Sequence, residues 1–517
     1  MSKTSSAGEL AKLRLTITES LRVQQQTESI EYINVGHALN DALARQNHAI
    51  FARRGCGKTL LLHQSSKGLP ATAGAVYLNC EDFKRHSFPN VLIEILRSLF
   101  LELDKHLIGW FGRKQRSKQI VKLILARLSK LQAQDDERRD EIRTKESSNV
   151  SDEFRLEGAI GRGPIKLSGT AGSKSGASEE IEKTYAVYQD KLRELDHWLP
   201  ELKREIRELI ASSSNKTTIY LQIDDLYHLR RTDQAFVVDY VHRLCKDTPL
   251  YFKIATLRHA SNLYADKQGQ PIGAQERHDY QSINIDYTFS DFDRTRQQNW
   301  DILVAFAKLS DMNETQLDAL FKGQGFDRLV MAGGGVPRDV LSLFLEVLGS
   351  LNVEKGERIG KDEVRLLSRA NFERRIDELK QDSQDEEQGD LIKGIYLIRK
   401  FCLDRMTNVF TVSERALQEN DDLKALLYRL MDYRIIHNCA TALTHKSEPG
   451  TFQAFAIDIG CYAHLRKLQG RFNELDVSDR GAKEQMRSTP VLHTEELAKL
   501  FETIPPNVEE ILLSDDE

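Results

Sequence analysis

The run Ala52-Arg53-Arg54-Gly55-Cys56-Gly57-Lys58-Thr59 has the residue types and the spacing to hold a polyphosphate. Small residues let successive backbone N–H groups turn toward phosphate oxygens, a lysine brings positive charge to them, and a hydroxyl ligates magnesium. Gly57, Lys58 and Thr59 match that pattern, Gly55 adds backbone freedom, and Leu60 completes the candidate nucleotide-binding set. Ala52 stands where the pattern has its first glycine, so a positive φ is not expected at that corner. A partner signal lies at Asp224-Asp225, after the apolar run Thr218 to Ile223. A carboxylate at the end of such a strand holds magnesium, and a second one beside it polarises the attacking water. Asp224 takes the metal role with Thr59, and Asp225 is the candidate base. Aspartate reaches less far than glutamate, so slow hydrolysis is expected. Thr256, ending another apolar run, can touch a γ-phosphate or orient water. Arg338, after Gly333-Gly334-Gly335-Val336-Pro337, opens a helix from which a guanidinium can report that phosphate.

The surrounding pattern supplies the elements that must position these groups. His48 to Phe51 suits a buried strand, Thr59 to Leu62 opens a helix, and Ala75 to Asn79 makes a second strand. Strand, loop, helix and strand in that order imply a parallel sheet. Further strands are expected at Thr218 to Ile223, Tyr251 to Thr256 and Ser282 to Phe289. Between them, residues 89–211 read as a helical and flexible insertion. It contains a charged run, Gln132 to Glu146, and a Gly/Ser-rich stretch, Glu157 to Ser178, that reads as a linker rather than a hairpin. The expected division is a helical lead-in over 1–30, an α/β nucleotide-binding domain over 31–292 and a helical lid over 293–380. A charged linker at Gln381 to Asp390 follows, then a compact domain over 391–467 and a polar to acidic tail over 468–517.

Composition sets the outer limits. Of 517 residues, 40% are hydrophobic and 29% charged, the balance of a globular protein of two or three domains. A formal net charge of −5 argues against coating nucleic acid through bulk charge, while leaving room for a local basic patch. The six cysteines show no C-x-x-C spacing, so neither zinc nor a disulfide framework is indicated. No segment has the apolar length of a membrane span or the core of a signal peptide, and a cytoplasmic location is expected.

Taken in order, ARRGCGKT, IYLQIDD, FKIATLRH and GGGVPRDV resemble the ORC-type branch of the AAA+ ATPases, with features shared with STAND signalling ATPases. By that resemblance they are Walker A, Walker B, sensor 1 and sensor 2. The match runs from about Tyr32 to Leu348, and the stretch Leu257 to Phe289 also looks like bacterial proteins of this group. The resemblance implies a P-loop sheet with a helical lid, ATP and Mg2+ as cofactors, and an arginine finger, for which Arg277 is the candidate and Arg258 the alternative. It also implies a winged-helix-like domain after the lid, with Ile395 to Met406 as its first helix and Asp422 to Met431 as its recognition helix. Ile435 to Cys439 and Phe452 to Ile457 would form its wing. That helix mixes Asp421, Asp422 and Asp432 with Lys424 and Arg429, which is poor chemistry for reading a duplex.

The function expected is an ATP-binding and ATP-hydrolysing switch that couples nucleotide state to a partner. The candidate partners are a second copy of the chain, double-stranded DNA or an effector protein. Two alternatives stand beside it. One is a DNA-binding loader or clamp that uses Arg113-Lys114-Arg116-Lys118 and Lys203-Arg204-Arg207. The other is a nucleotide-binding scaffold that does not hydrolyse.

Overall fold

The computed structural model describes every residue except 1–6, 22–31, 87, 108–112, 134–188, 214, 268–269, 354–355, 384, 466–471 and 514–517. The Gly/Ser-rich stretch, and all but the start of the charged run before it, lie outside the described residues. Two compact units emerge. One comprises Met1–Gly36, Ala52–Gly57 and Ile285–Glu517; the other comprises His37–Phe51 and Lys58–Asn284. The first begins with helix α1 (Ala7–Ser20), considered below with the rest of its unit.

The second unit is built on a parallel sheet. In chain order it contains α2 (Ala38–Leu43), β1 (His48–Phe51), α3 (Lys58–Lys67), β2 (Ala73–Asn79), α4 (Phe88–Lys105), α5 (Arg113–Gln132) and α6 (Gln189–Ser212). There follow β3 (Thr218–Asp224), α7 (Arg231–Cys245), β4 (Leu250–Thr256), β5 (Tyr264–Lys267), β6 (Gln270–Gly273) and β7 (Gln281–Asn284). The sheet order is β2-β3-β4-β1-β7, and each neighbouring pair runs parallel. Every residue of β3 is buried, as a strand covered on both faces requires. β4 therefore stands between the strand that feeds the phosphate loop and the strand that ends in Asp224. Helix α4 buries Val91, Leu92, Ile95, Leu96, Leu99, Phe100 and Leu103, a helical three-and-four spacing, and packs with α5 and α6. β5 and β6 form an antiparallel hairpin. β7 stops at Asn284 rather than Phe289, because its partner β1 offers only four residues to pair with.

In the first unit, α1 is joined to later helices by Lys12 Nζ with Asp311 (2.6 Å) and by Gln316 Nε2 donating to Glu9 (2.8 Å). Asp311 lies in the turn between α8 (Phe292–Leu309) and α9 (Glu314–Asp318), Gln316 lies on α9, and the helices that follow are α10 (Gly325–Ala332), α11 (Pro337–Ser350) and α12 (Lys361–Asp382). The charged stretch expected as a linker is mostly helix, because α13 (Asp385–Asp404) starts within it. Next come β8 (Val409–Ser413), α14 (Glu414–Glu419), α15 (Asp421–Asp432), β9 (Ile436–Thr444) and β10 (Thr451–Ile457), with the antiparallel strand order β8-β10-β9.

The described part of the stretch expected as a tail, residues 472–513, contacts the rest of its unit. Thr411 N donates to Pro490 O (2.9 Å) and Leu492 N to Thr411 O (2.8 Å), which covers the outer edge of β8. Leu492, Leu497 and Leu512 are buried, the last two in short helices α17 (Thr494–Glu502) and α18 (Val508–Leu513) that follow α16 (Ala482–Met486). Its acids meet bases elsewhere in the unit: Glu496 pairs with Arg405 and Glu509 with Lys380.

Candidate functional site

The loop Ala52–Gly57 joins β1 to α3. Gly55 and Gly57 have φ of 90° and 89°, the left-handed region where a side chain is strained. Gly55 is crowded as well, since a Cβ there would lie 2.8 Å from Val336 Cγ1 and 2.9 Å from Arg338 Cβ. Ala52 is not among the residues with positive φ, so an alanine fits where the pattern has glycine.

The two loop arginines are held within the protein. Arg53 is buried; its Nε and Nη2 donate to the two oxygens of Asp286 at 2.7 and 2.8 Å, and its Nη1 donates to Gly334 O at 2.8 Å. Its backbone N–H also goes to Asp286, at 3.0 Å. Burial opposes the charge, yet Asp286 raises the guanidinium above the ordinary arginine range. Arg53 is expected among the phosphate contacts; in the structure its side chain and its N–H bond to Asp286. Arg54 forms an ion pair with Asp382 at 2.5 Å.

Arg338 lies where the spacing put it, in the first turn of α11, after Pro337. Its backbone N–H reaches Gly55 O at 3.3 Å, and its side chain is exposed.

Lys58 and Thr59 open α3, whose N-terminal N–H groups and dipole favour an anion. Leu60 follows them on the same helix. Lys58 is 4% exposed, with Nζ 5.7 Å from the centre of the Tyr227 ring. Asp224 ends β3 and is fully buried. Its carboxylate accepts from the hydroxyl of Tyr77 on β2 at 2.8 Å and from the N–H of Asp225 at 3.0 Å, and Thr59 favours its charged form. Burial first, and then the charge of Asp225, push Asp224 up to about 6, against those hydrogen bonds and Lys58. A buried carboxylate short of positive charge, touching a hydroxyl oxygen, is a donor set that fits Mg2+. That ion commonly takes one or two protein oxygens and completes its shell with water and substrate phosphate. No cluster of three or more His, Cys, Asp or Glu side chains suited to a metal occurs among the described residues. A cage made by protein alone is therefore not the reading.

Asp225 lies just past the strand in the left-handed conformation, φ 51°, a turn that Asp and Asn tolerate. Thr256 ends β4, fully buried, with its hydroxyl 2.5 Å from Ser261 Oγ. Arg277 is not at a helix end. The β5–β6 hairpin occupies that part of the chain, and Arg277 sits in the tight turn before β7 at φ 71°, its N–H bonded to Tyr280 O at 2.8 Å. The alternative, Arg258, lies 4.4 Å over the Phe51 ring and 3.2 Å from Glu276.

Two contributors escaped the sequence reading. Tyr77 carried only a weak signal, a polar tip on an otherwise apolar strand. Asp286, inside NIDYTF, carried none beyond being a carboxylate in an apolar run.

No family model and no curated protein matches this sequence. Among solved structures, a Walker-type ATPase of Pyrococcus abyssi matches at 12% identity over 86% of this chain and 98% of its own, with a TM-score of 0.37. An origin recognition complex structure from Drosophila, bound to DNA, matches at 13% identity over 89% and 92%, TM-score 0.33. The Aeropyrum pernix ORC1 protein, in complex with DNA, matches at 12% identity over 96% and 95%, TM-score 0.29.

Proposed function

We propose that this chain is a P-loop ATPase of the AAA+ type, a switch that binds ATP with Mg2+, hydrolyses it slowly and couples its nucleotide state to a partner. The observation that carries this reading is the fully buried Asp224 carboxylate at the end of β3, whose charged form is favoured by Thr59 and Lys58 at the start of α3. A hydroxyl next to the loop lysine and a carboxylate ending a buried strand form the oxygen pair on which P-loop enzymes seat magnesium. The sheet order supports it, because ligands of parallel sheets collect at the carboxyl ends of strands where the order reverses, and β1 lies inside the sheet between β4 and β7.

In this reading the loop N–H groups and α3 cradle the phosphates, and Lys58 reaches the β- and γ-phosphates. Thr59 and Asp224 would hold Mg2+, which supplies charge neutralisation when bound. Asp225 draws the proton from the attacking water. Thr256, at the end of β4 beside β1 in the sheet, would orient that water, and Arg338 reads the γ-phosphate. Arg277 remains the finger candidate for a second copy of the chain, from a turn rather than a helix. The proposed division keeps a nucleotide domain over 31–292, a lid over 293–380 and a C-terminal domain over 391–467.

A second reading, DNA engagement, has one observation in its favour. The order α13, β8, α14, α15, β9, β10 supports the reading of a winged-helix-like domain here. Its charges oppose it: α15 exposes Asp421 beside Lys424, and Arg429 pairs with Glu387. An effector protein is therefore the partner class we favour.

The test is ATP binding and phosphate release for wild type and Lys58→Ala, with and without duplex DNA. Lys58-dependent binding with slow turnover indifferent to DNA supports the switch. Turnover raised by DNA supports the second reading, and binding that survives Lys58→Ala removes both.

A further inference from the structure

The exposed Arg338 side chain is carried on a backbone held by helices α8 and α12, by Arg53 and, from the C-terminal domain, by β9. The turn Ala332 to Gly335, just before Arg338, offers carbonyls to buried side chains of separate elements. Ala332 O accepts from Asn371 (3.1 Å) and Arg375 (2.9 Å) of α12, Gly334 O from Arg53 (2.8 Å), and Gly335 O from Asn299 (3.0 Å) of α8. Gly334 has φ 63°, and a Cβ there would lie 2.6 Å from His437 Cε1 on β9. No side chain fits between the turn and that strand.

The next residue in the chain is held just as firmly. Asp339 accepts two hydrogen bonds from Arg434 Nη1, both 3.0 Å, and Arg434 also pairs with Glu378. Arg434 immediately precedes Ile435 and β9. Arg375 spans the same seam, donating to Asp458 after β10 and to Arg434 O at 3.1 Å. Arg434, Arg375, His437 and Asp458 are each 3% exposed or less. Charges so placed are strongly coupled, and loss of one partner leaves the other buried and uncompensated.

We propose that Arg434 and Arg375 are positioning residues for the nucleotide site: through Asp339 and the Ala332–Gly335 turn they set Arg338 against Gly55, so the seating of the C-terminal domain decides whether the γ-phosphate is read. This rests on the ATP reading above and adds the route by which nucleotide identity reaches β9. The coupling is reciprocal: if the C-terminal domain positions Arg338, a γ-phosphate that engages Arg338 alters the protection of β9.

The experiment is hydrogen exchange on the full chain, wild type and Arg338→Ala, bound to a non-hydrolysable ATP analogue or to ADP. Lys58→Ala serves as the control for occupancy. Arg338 is exposed, so its truncation spares the core. The expected result is exchange over residues 434–440 that differs about fivefold or more between the two nucleotides in wild type and not in Arg338→Ala. Arg434→Lys keeps the charge but loses the fork geometry, and it should narrow the ratio of ATP-analogue to ADP affinity by a similar factor. Leu427→Ala, a buried change in the same domain, should lower thermal stability and leave that ratio alone.

Lys58-dependent binding with identical exchange for both nucleotides overturns the inference, as does an unchanged ratio in Arg434→Lys. Should Arg434→Lys not fold, the exchange comparison decides by itself. A wild type without Lys58-dependent binding overturns the ATP reading and this inference with it.

Discussion

Asp224 and Asp225 are neighbours in the chain with different surroundings, and that contrast supports the roles proposed for them. Asp224 is sealed in and pushed up to about 6, whereas Asp225 sits in a left-handed turn beyond the strand. Asn adopts that turn as readily as Asp, so Asp225→Asn is a clean test of the proposed base. It should leave ATP binding in place and lower phosphate release by about 100-fold or more, read in a single-turnover assay. For Asp224 the proton competes with the metal. Mg2+-dependent binding should hold above pH 6 and weaken as the pH falls through it. Tyr77→Phe removes a hydrogen bond to the ionised form, worth about 1.5–3 kcal/mol, so the pH midpoint should move upward in a Mg2+ titration at several pH values. For stability the sign is the reverse. A carboxylate with a raised folded pKa disfavours the fold when ionised, so this residue contributes stability that is lost as pH rises through about 6. Lys58, Thr59 and Asp224 stand out in the sequence because the pattern they belong to is written in adjacent residues and one apolar run. Tyr77 lies 147 residues from Asp224, and Asp286 lies 233 from Arg53; no local pattern records such distant pairs.

Elements were legible where hydrophobic periodicity was strong and the chain local. β1, α3, β2, β3 and β4 follow from apolar runs of strand length and a helix opened by Lys58-Thr59. β8 was missed because VFTVS is short and its identity as a strand comes from pairing with β10, forty residues on in the chain and invisible to a window. The C-terminal stretch read as a tail for the same reason: its polar composition conceals a few buried leucines and a single ladder contact to Thr411. The phosphate loop is itself an element with a testable geometry. Arg53→Ala would leave Asp286 buried without its cation, a loss of about 3–5 kcal/mol. A marked fall in melting temperature is expected, larger than that from Lys58→Ala. Equal stability of the two variants would mean that the Arg53–Asp286 pair contributes little to the fold.

Across the whole chain the charge balance bears on the choice of partner. A net charge of −5 is no obstacle to a local DNA site, so the basic clusters have to be judged by what they already contact. Lys203 lies 3.8 Å from Asp247, Arg204 pairs with Glu201 and Glu205, and Arg207 donates to Asp247 O. On the β9–β10 hairpin Lys446 meets Glu484 at 2.9 Å. Each pair would have to be broken before a phosphate could be neutralised, which removes much of the gain that drives nucleic-acid binding. Arg116 and Lys118 are exposed on α5 and are the cations best placed to act otherwise. A protein that contacts Z phosphates loses affinity with a log–log salt slope of about −0.9Z, so even a modest site announces itself as salt is lowered. We expect fluorescence anisotropy with a labelled duplex to show no saturable binding at low salt, in the presence or absence of ATP. Binding with a slope of about −3 or steeper that flattens in Arg116→Ala/Lys118→Ala would place DNA on the insertion helices instead of the C-terminal domain, and would make the helical insertion, rather than α15, the part of the molecule that meets its partner.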